Sequence, residues 1–95
     1  MIDTPLTFRP SAWVRDVQTA DGVALLDIHQ GTCFSLNPVG VRIWNMLKLQ
    51  SSINEMSASI AAEFDVVEQQ VRADVVEFIQ RLDERGLAIR NGEKN

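Results

Sequence analysis

The sequence contains a single cysteine, Cys33, and a single histidine, His29. One cysteine cannot form an internal disulfide, and a structural zinc site usually takes four protein ligands. Nucleophilic catalysis needs a nucleophile, a base and a group that orients the base, and no such set can be assembled here. We interpret the two residues as a turn histidine and a strand cysteine. The sequence therefore predicts a fold stabilised by packing alone, with no metal, no cofactor, no catalytic residues and no enzymatic activity.

The chain also lacks long apolar runs and an excess of positive charge. No run approaches the roughly 18 apolar residues that cross a membrane, and residues 1–10 lack the basic start and apolar stretch of a secretory signal. The net charge is −4. Because Lys and Arg supply most nonspecific affinity for nucleic acids and for anionic lipids, this balance disfavours both. We expect a cytoplasmic protein with no nucleic-acid partner and no membrane partner.

The length and composition favour one folded unit. Globular domains usually contain about 100 to 150 residues, and this chain has 95. Apolar residues make up 45% and charged residues 23%, which is typical of a soluble globular domain and unlike a disordered chain. We predict a single domain that spans residues 1–95.

The first half of the sequence is typical of β-structure. Short apolar-rich runs occupy residues 14–18, 23–28 and 32–36. Asp21-Gly22 separates the first two, and Gly31 precedes the third, so that each connection has the conformational freedom that a tight turn needs. These signals predict a three-stranded antiparallel meander.

The second half is typical of helices. A cap signal begins each of three segments, in the order Asn37 with Pro38, Ser52 with Glu55, and Asp65 with Glu68. The helices are expected at residues 38–49, from residue 52 on, and at 67–85, where Gly86 is the expected stop; residues 87–89 would add a short extended segment. Their predicted buried faces are Gly40, Ile43, Trp44 and Leu47, then Met56, Ile60, Ala61 and Phe64, then Val71, Val75, Phe78 and Leu82.

This order predicts an α+β fold that is winged-helix-like, with a three-stranded antiparallel sheet followed by three helices. In a winged helix-turn-helix protein the last helix would enter the major groove of DNA. Residues 67–85 carry three arginines against five carboxylates, whereas groove-reading helices are usually basic. A DNA-binding regulator is therefore the weaker alternative function.

The third strand, Thr32–Leu36, has an edge that nothing in the sequence covers. If the third helix buries the stripe given above, Val76 and Ile79 form a semi-exposed apolar strip on its shoulder. A cleft between this strip and the strand edge would accept an extended peptide by strand addition. Alternatively, the strip packs against the N-terminal segment that contains Phe8 and Trp13. Periodicity alone leaves both possibilities open.

An ordered series of short motifs resembles the PqqD-like family over residues 13–89. The motifs are Leu25-Leu26-Asp27, Gly31, Phe34-Ser35-Leu36-Asn37, Ile43-Trp44, Phe64-Asp65-Val66, Val71, Asp74-Val75, Phe78-Ile79, Leu82 and Gly86-Leu87. Each motif is weak alone because it consists largely of core and cap residues. Their order over most of the chain makes the resemblance fairly specific.

The resemblance implies a peptide-recognition element of ribosomally made, enzymatically modified peptides. Members of the family bind a precursor's leader peptide as a strand beside the third strand, in a groove completed by the third helix. Stand-alone members of this size resemble lasso-peptide proteins that pass the precursor to a leader peptidase. Other members serve radical-SAM enzymes as peptide chaperones, and this is the alternative maturation partner.

Strand-edge reasoning and the resemblance together give the expected peptide-binding residues. These are Thr32, Cys33, Phe34, Ser35, Leu36, Arg72, Val75, Val76 and Ile79. Without a bound peptide, an open edge can also pair with a second copy of the chain. We therefore expect a monomer or a weak edge-strand dimer.

Overall fold

The computed structural model describes residues 7–91, which form five strands and three helices. The predicted domain also includes residues 1–6 and 92–95, which lie outside this range. No helix within the described range is long and apolar enough to cross a membrane. In chain order the elements are β1 (Phe8–Pro10), β2 (Val14–Thr19), β3 (Gly22–Asp27), β4 (Thr32–Leu36), α1 (Pro38–Lys48), α2 (Ile53–Phe64), α3 (Glu68–Glu84) and β5 (Ala88–Arg90).

The three predicted strands form an antiparallel sheet in the order β2-β3-β4. Gly22 and Gly31 lie at its two turns with φ angles of 138° and 71°, a conformation that residues with a Cβ rarely adopt. Leu25 of β3 pairs with Phe34 of β4. The predicted meander and the α+β fold class are confirmed.

A second sheet brings the two ends of the described chain together. β1 pairs antiparallel with β5, so that Phe8 lies opposite Arg90, and the Phe8 side chain is buried in the core. Ser11 follows β1 and donates its hydroxyl to the Gly86 carbonyl at 2.6 Å. The predicted extended segment after Gly86 is present as β5, whereas β1 was not predicted, because three residues that include Pro10 show no strand periodicity.

Two of the three predicted helix caps are confirmed. The Asn37 side chain accepts a hydrogen bond from the Gly40 amide at 2.7 Å at the start of α1. Ser52 and Glu55 form a reciprocal capping box at the start of α2. The third prediction is wrong: Asp65 closes α2 in a left-handed conformation at φ 54°, and α3 begins without a side-chain cap. Asp tolerates this conformation better than most residues, so it serves the end of α2.

The core lies between the sheet and the helices, and most of its predicted members are buried. The predicted faces of α1 and α2 are confirmed except at Phe64, which is 43% exposed because α2 ends there. On α3 the buried residues are Val71, Val75, Ile79 and Leu82. Ile79 is 2% exposed, so its predicted place on a semi-exposed shoulder is wrong, and Phe78 is only partly buried. The helix is rotated so that Ile79 replaces Phe78 in the stripe.

Candidate peptide-binding site

Strand β4 forms one edge of the three-stranded sheet. Among the described residues it pairs only with β3. Alternate residues of an antiparallel edge strand direct their N–H and C=O groups away from the neighbouring strand. Cys33 and Ser35 share one face and are exposed, whereas Thr32, Phe34 and Leu36 share the other face and are exposed, partly buried and buried, respectively. This edge can therefore accept the backbone of one more strand.

Two aromatic rings lie between this edge and α3. The ring centroids of Phe34 and Phe78 are 6.1 Å apart, with a tilt of 58° between the ring planes. The Arg85 guanidinium lies over the Phe34 ring, 4.9 Å from its centroid. On the other side, a Cβ at Gly40 would come within 3.2 Å of a Phe78 ring carbon. The absence of a side chain at Gly40 thus lets α1 approach closely enough to hold the Phe78 ring.

A cleft of about 240 Å³ lies on one side of the ring pair, between β4 and the end of α3. Its lining residues are Leu25, Asp27, Gln30, Thr32, Cys33, Phe34, Glu84, Arg85 and Leu87. A second cleft of about 270 Å³ lies on the other side, between α1 and α3. Its lining residues are Asn37, Val39, Gly40, Ile43, Asp74, Glu77, Phe78 and Arg81. We call the first the β4–α3 cleft and the second the α1–α3 cleft.

The α3 wall of these clefts carries charge of both signs. Asp74 and Glu77 line the α1–α3 cleft, and Arg81 follows one turn later. Arg85 lies a further turn along, in the β4–α3 cleft. Within residues 7–91 neither arginine forms an ion pair, since the ion pairs found there join Arg42 to Glu63 and Lys48 to Asp16. Arg81 is exposed in the α1–α3 cleft, and the Arg85 guanidinium lies over the Phe34 ring at the β4–α3 cleft.

Some of the expected site residues lie at the open edge, whereas others lie in the core or outside both clefts. The five residues of β4 lie at the open edge as predicted, although Leu36 directs its side chain into the core. Val75 and Ile79 are core residues with 0% and 2% exposure, and neither lines the β4–α3 cleft or the α1–α3 cleft. Arg72 and Val76 line neither cleft.

The face of α3 that lines the clefts was missed from the sequence. It presents Asp74, Glu77, Phe78, Arg81 and Glu84, which follow the helical spacing of one face, and the C-cap Arg85 continues it. The apolar periodicity of α3 predicts this face correctly only if Ile79, and not its neighbour Phe78, belongs to the buried stripe.

His29 and Cys33 take no part in a shared site. The His29 ring stacks on Trp13, with ring centroids 5.0 Å apart and 14° between the planes. Cys33 is exposed on β4. In the described part of the chain, no three His, Cys, Asp or Glu side chains cluster closely enough to hold a metal ion.

Two solved structures are similar to this fold. A lasso peptide synthetase B1, in a structure in which it is complexed with the leader peptide, is 26% identical with a TM-score of 0.82; the match covers 86% of this chain and 96% of that chain. TbiB1 in complex with the TbiA(beta) leader peptide is 31% identical with a TM-score of 0.77, over 92% of this chain and 99% of that chain. No curated protein matches the sequence.

A match to a protein family covers most of the fold. Residues 22–88, from the start of β3 to the first residue of β5, match the family described as Coenzyme PQQ synthesis protein D (PqqD). The matched segment contains β4, α1 and α3, the elements that build both clefts. Because this segment is well over half of the sequence, the chain belongs to the PqqD family.

Proposed function

We propose that this protein binds the leader segment of a ribosomally made precursor peptide and presents it to a maturation enzyme. The observation that carries the proposal is the open edge of β4 beside the Phe34 and Phe78 rings. Two similar structures, each of a B1 protein in complex with a leader peptide, support it. The leader would lie along β4 as a fourth strand of the sheet.

Strand addition explains how such a site recognises its ligand. Backbone hydrogen bonds to β4 contribute roughly 1 kcal/mol each and depend little on sequence. Side chains of the added strand alternate between its two faces, so one set would point toward α3. Apolar side chains of that set would pack on Phe34 and Phe78, while acidic ones would meet Arg81 or Arg85. Selectivity then comes from the clefts, and the edge supplies general affinity.

No chemical step is needed on this domain. Holding the leader raises the effective concentration of the attached core segment at the active site of a bound enzyme. We favour a leader peptidase as that enzyme because both similar structures are leader-bound B1 proteins, one of them a lasso peptide synthetase B1. A radical-SAM enzyme is the alternative, since the PqqD family as a whole is described by its role in coenzyme PQQ synthesis.

Backbone methylation of the ligand tests strand addition directly. The probe is a fluorescein-labelled synthetic leader, taken from a lasso-type precursor encoded beside the gene and measured by fluorescence anisotropy. N-methyl groups at alternate positions of the paired segment remove the N–H groups that face β4, whereas methylation one position along leaves them intact.

We expect one methylated set to weaken binding at least tenfold and the other to weaken it far less. Equal losses for both sets would contradict pairing with an edge strand. If the unmodified leader fails to bind at micromolar protein, the proposed function is wrong.

A further inference from the structure

An apolar pocket lies where α2 turns into α3, outside the two clefts described above. We call it the elbow pocket; its volume is about 240 Å³, and its apolar lining consists of Val39, Ile60, Phe64, Val66, Val71 and Val75. Phe64 and Val66 are 43% and 48% exposed. Clustered apolar side chains that remain accessible to water often mark a binding surface.

The elbow pocket is continuous with the peptide-binding site. Val39 of α1 and Asp74 of α3 line both this pocket and the α1–α3 cleft. The three cavities follow α3 in order, from Arg85 past Phe78 to Val71. The Phe34 and Phe78 rings lie between the first two, which share no lining residue. We call this row of cavities the path along α3.

This path is longer than the strand edge beside it. From residue 71 of α3 to its C-cap, Arg85, the helix axis extends over about 21 Å at roughly 1.5 Å per residue. The five residues of β4 provide about 17 Å of edge at roughly 3.4 Å per residue. The path also turns away from the sheet at Asp74, toward α2. A ligand in the elbow pocket would thus lie beyond the segment that pairs with β4.

We propose that the leader-binding groove continues past Asp74 into the elbow pocket, which takes a bulky apolar side chain of the leader outside the strand-paired segment. This inference rests on the proposed function and adds a second recognition position to it. From Phe78 to Asp74 and Val71 the helix rises about 6 to 10 Å, which an extended peptide covers in about two or three residues. The side chain would therefore lie that far beyond the residue that contacts Phe78.

The chemistry of the pocket defines the ligand class. The valine, isoleucine and phenylalanine side chains of its lining offer no hydrogen-bond donors, and Asp74 is the one charged residue that lines it. A leucine, isoleucine, phenylalanine or tryptophan side chain fits such a lining, and the Phe64 ring offers a face for aromatic packing. Here recognition would select a residue type, whereas β4 selects an extended backbone.

Two adjacent valines provide a matched test. Val66 lines the elbow pocket, whereas Val67 is 67% exposed and lies outside its lining. Val66→Asn and Val67→Asn make the same chemical change in the same loop, and thermal melts establish that both variants fold. The probe is the labelled synthetic leader, full length and shortened stepwise from each end.

We expect Val66→Asn to weaken binding of the full-length leader about fivefold to tenfold, and Val67→Asn to stay within twofold of the unaltered protein. Removing the flanking apolar residue of the leader should cause the same loss in the unaltered protein and no further loss in Val66→Asn. Such non-additivity is the signature of two groups in contact.

Three results would overturn the inference. Equal leader affinity in both variants would show that the leader-binding groove does not extend into the elbow pocket. If Val66→Asn leaves leader affinity unchanged but slows leader removal by the partner peptidase, the pocket binds the enzyme and not the leader. In both cases a Phe78→Ala variant that loses leader affinity leaves the proposed function standing. Failure of the unaltered protein to bind any leader would overturn the proposed function and this inference together.

Discussion

Replacing Phe78 with alanine is the most direct test of the ring pair at the site. Phe78 is partly buried; its ring centroid lies 6.1 Å from that of Phe34, and a Cβ at Gly40 would come within 3.2 Å of the ring. If a leader side chain covers roughly 50 Å² of its ring, the lost apolar contact is about 1.3 kcal/mol at ~25 cal/mol per Å², or about tenfold in Kd. The Phe34 ring also loses its neighbour, which should add to the loss of affinity.

The same substitution has a stability cost that must be measured separately. Removing a fully buried phenyl group costs about 3 to 5 kcal/mol, and about half of that applies to a partly buried ring. A loss of about 2 kcal/mol lowers the Tm of a domain of this size by roughly 10 °C. Binding measured at 15 °C, well below the melting transition, separates lost contact from lost fold.

Val76→Ala is the matched control, because Val76 is also partly buried on α3 but lines neither cleft. We expect Phe78→Ala to raise the Kd for the labelled leader at least tenfold and Val76→Ala to leave it within twofold. The reverse order of effects would refute the orientation of α3 and restore Val76 as the ligand-facing residue. Equal effects would place the ligand away from this helix face.

Two further predictions concern the fold itself. Ile79→Asp should unfold the domain, since a charge at a 2% exposed position costs several kcal/mol without a partner; a normal circular-dichroism melt would show that Ile79 faces solvent. Asp16 accepts hydrogen bonds from Lys48 at 2.9 Å and from the Trp44 indole at 2.8 Å, and these hold its pKa below the ordinary 3.8. Because the folded pKa is the lower one, the stabilisation is present at neutral pH and fades as pH falls below about 4. The Tm should therefore fall less between pH 7 and pH 3 in Asp16→Asn than in the unaltered protein. An equal fall in both proteins would show that the Asp16 contacts do not contribute to the pH dependence of stability.

Much of the fold could be predicted because its signals are local. Gly22 and Gly31 set the two turns, and Asn37 and the Ser52–Glu55 box set the starts of two helices. Each of these features depends on residues a few positions apart, so one sequence is enough to recognise it.

The orientation of α3 could not be predicted in the same way. Phe78 and Ile79 are adjacent and apolar, and either one completes a stripe with Val75 and Leu82 at helical spacing. What decides between them is the close approach of Gly40 to the Phe78 ring, a contact between residues far apart in the sequence. The strand β1 was missed for a related reason, because its partner β5 lies at the other end of the chain.

The pairing of β1 with β5 has a consequence for how this fold combines with other proteins. Residues 8 and 90 are opposite each other in an antiparallel ladder, where facing Cα atoms are about 5 Å apart. The chain therefore enters and leaves the domain at neighbouring positions. Because of this, the domain can be inserted into a surface loop of an enzyme without separating the two ends of that loop. Its own N- and C-terminal connections would then emerge side by side, and the β4 edge, which lies in the other sheet, would remain free in the fused protein.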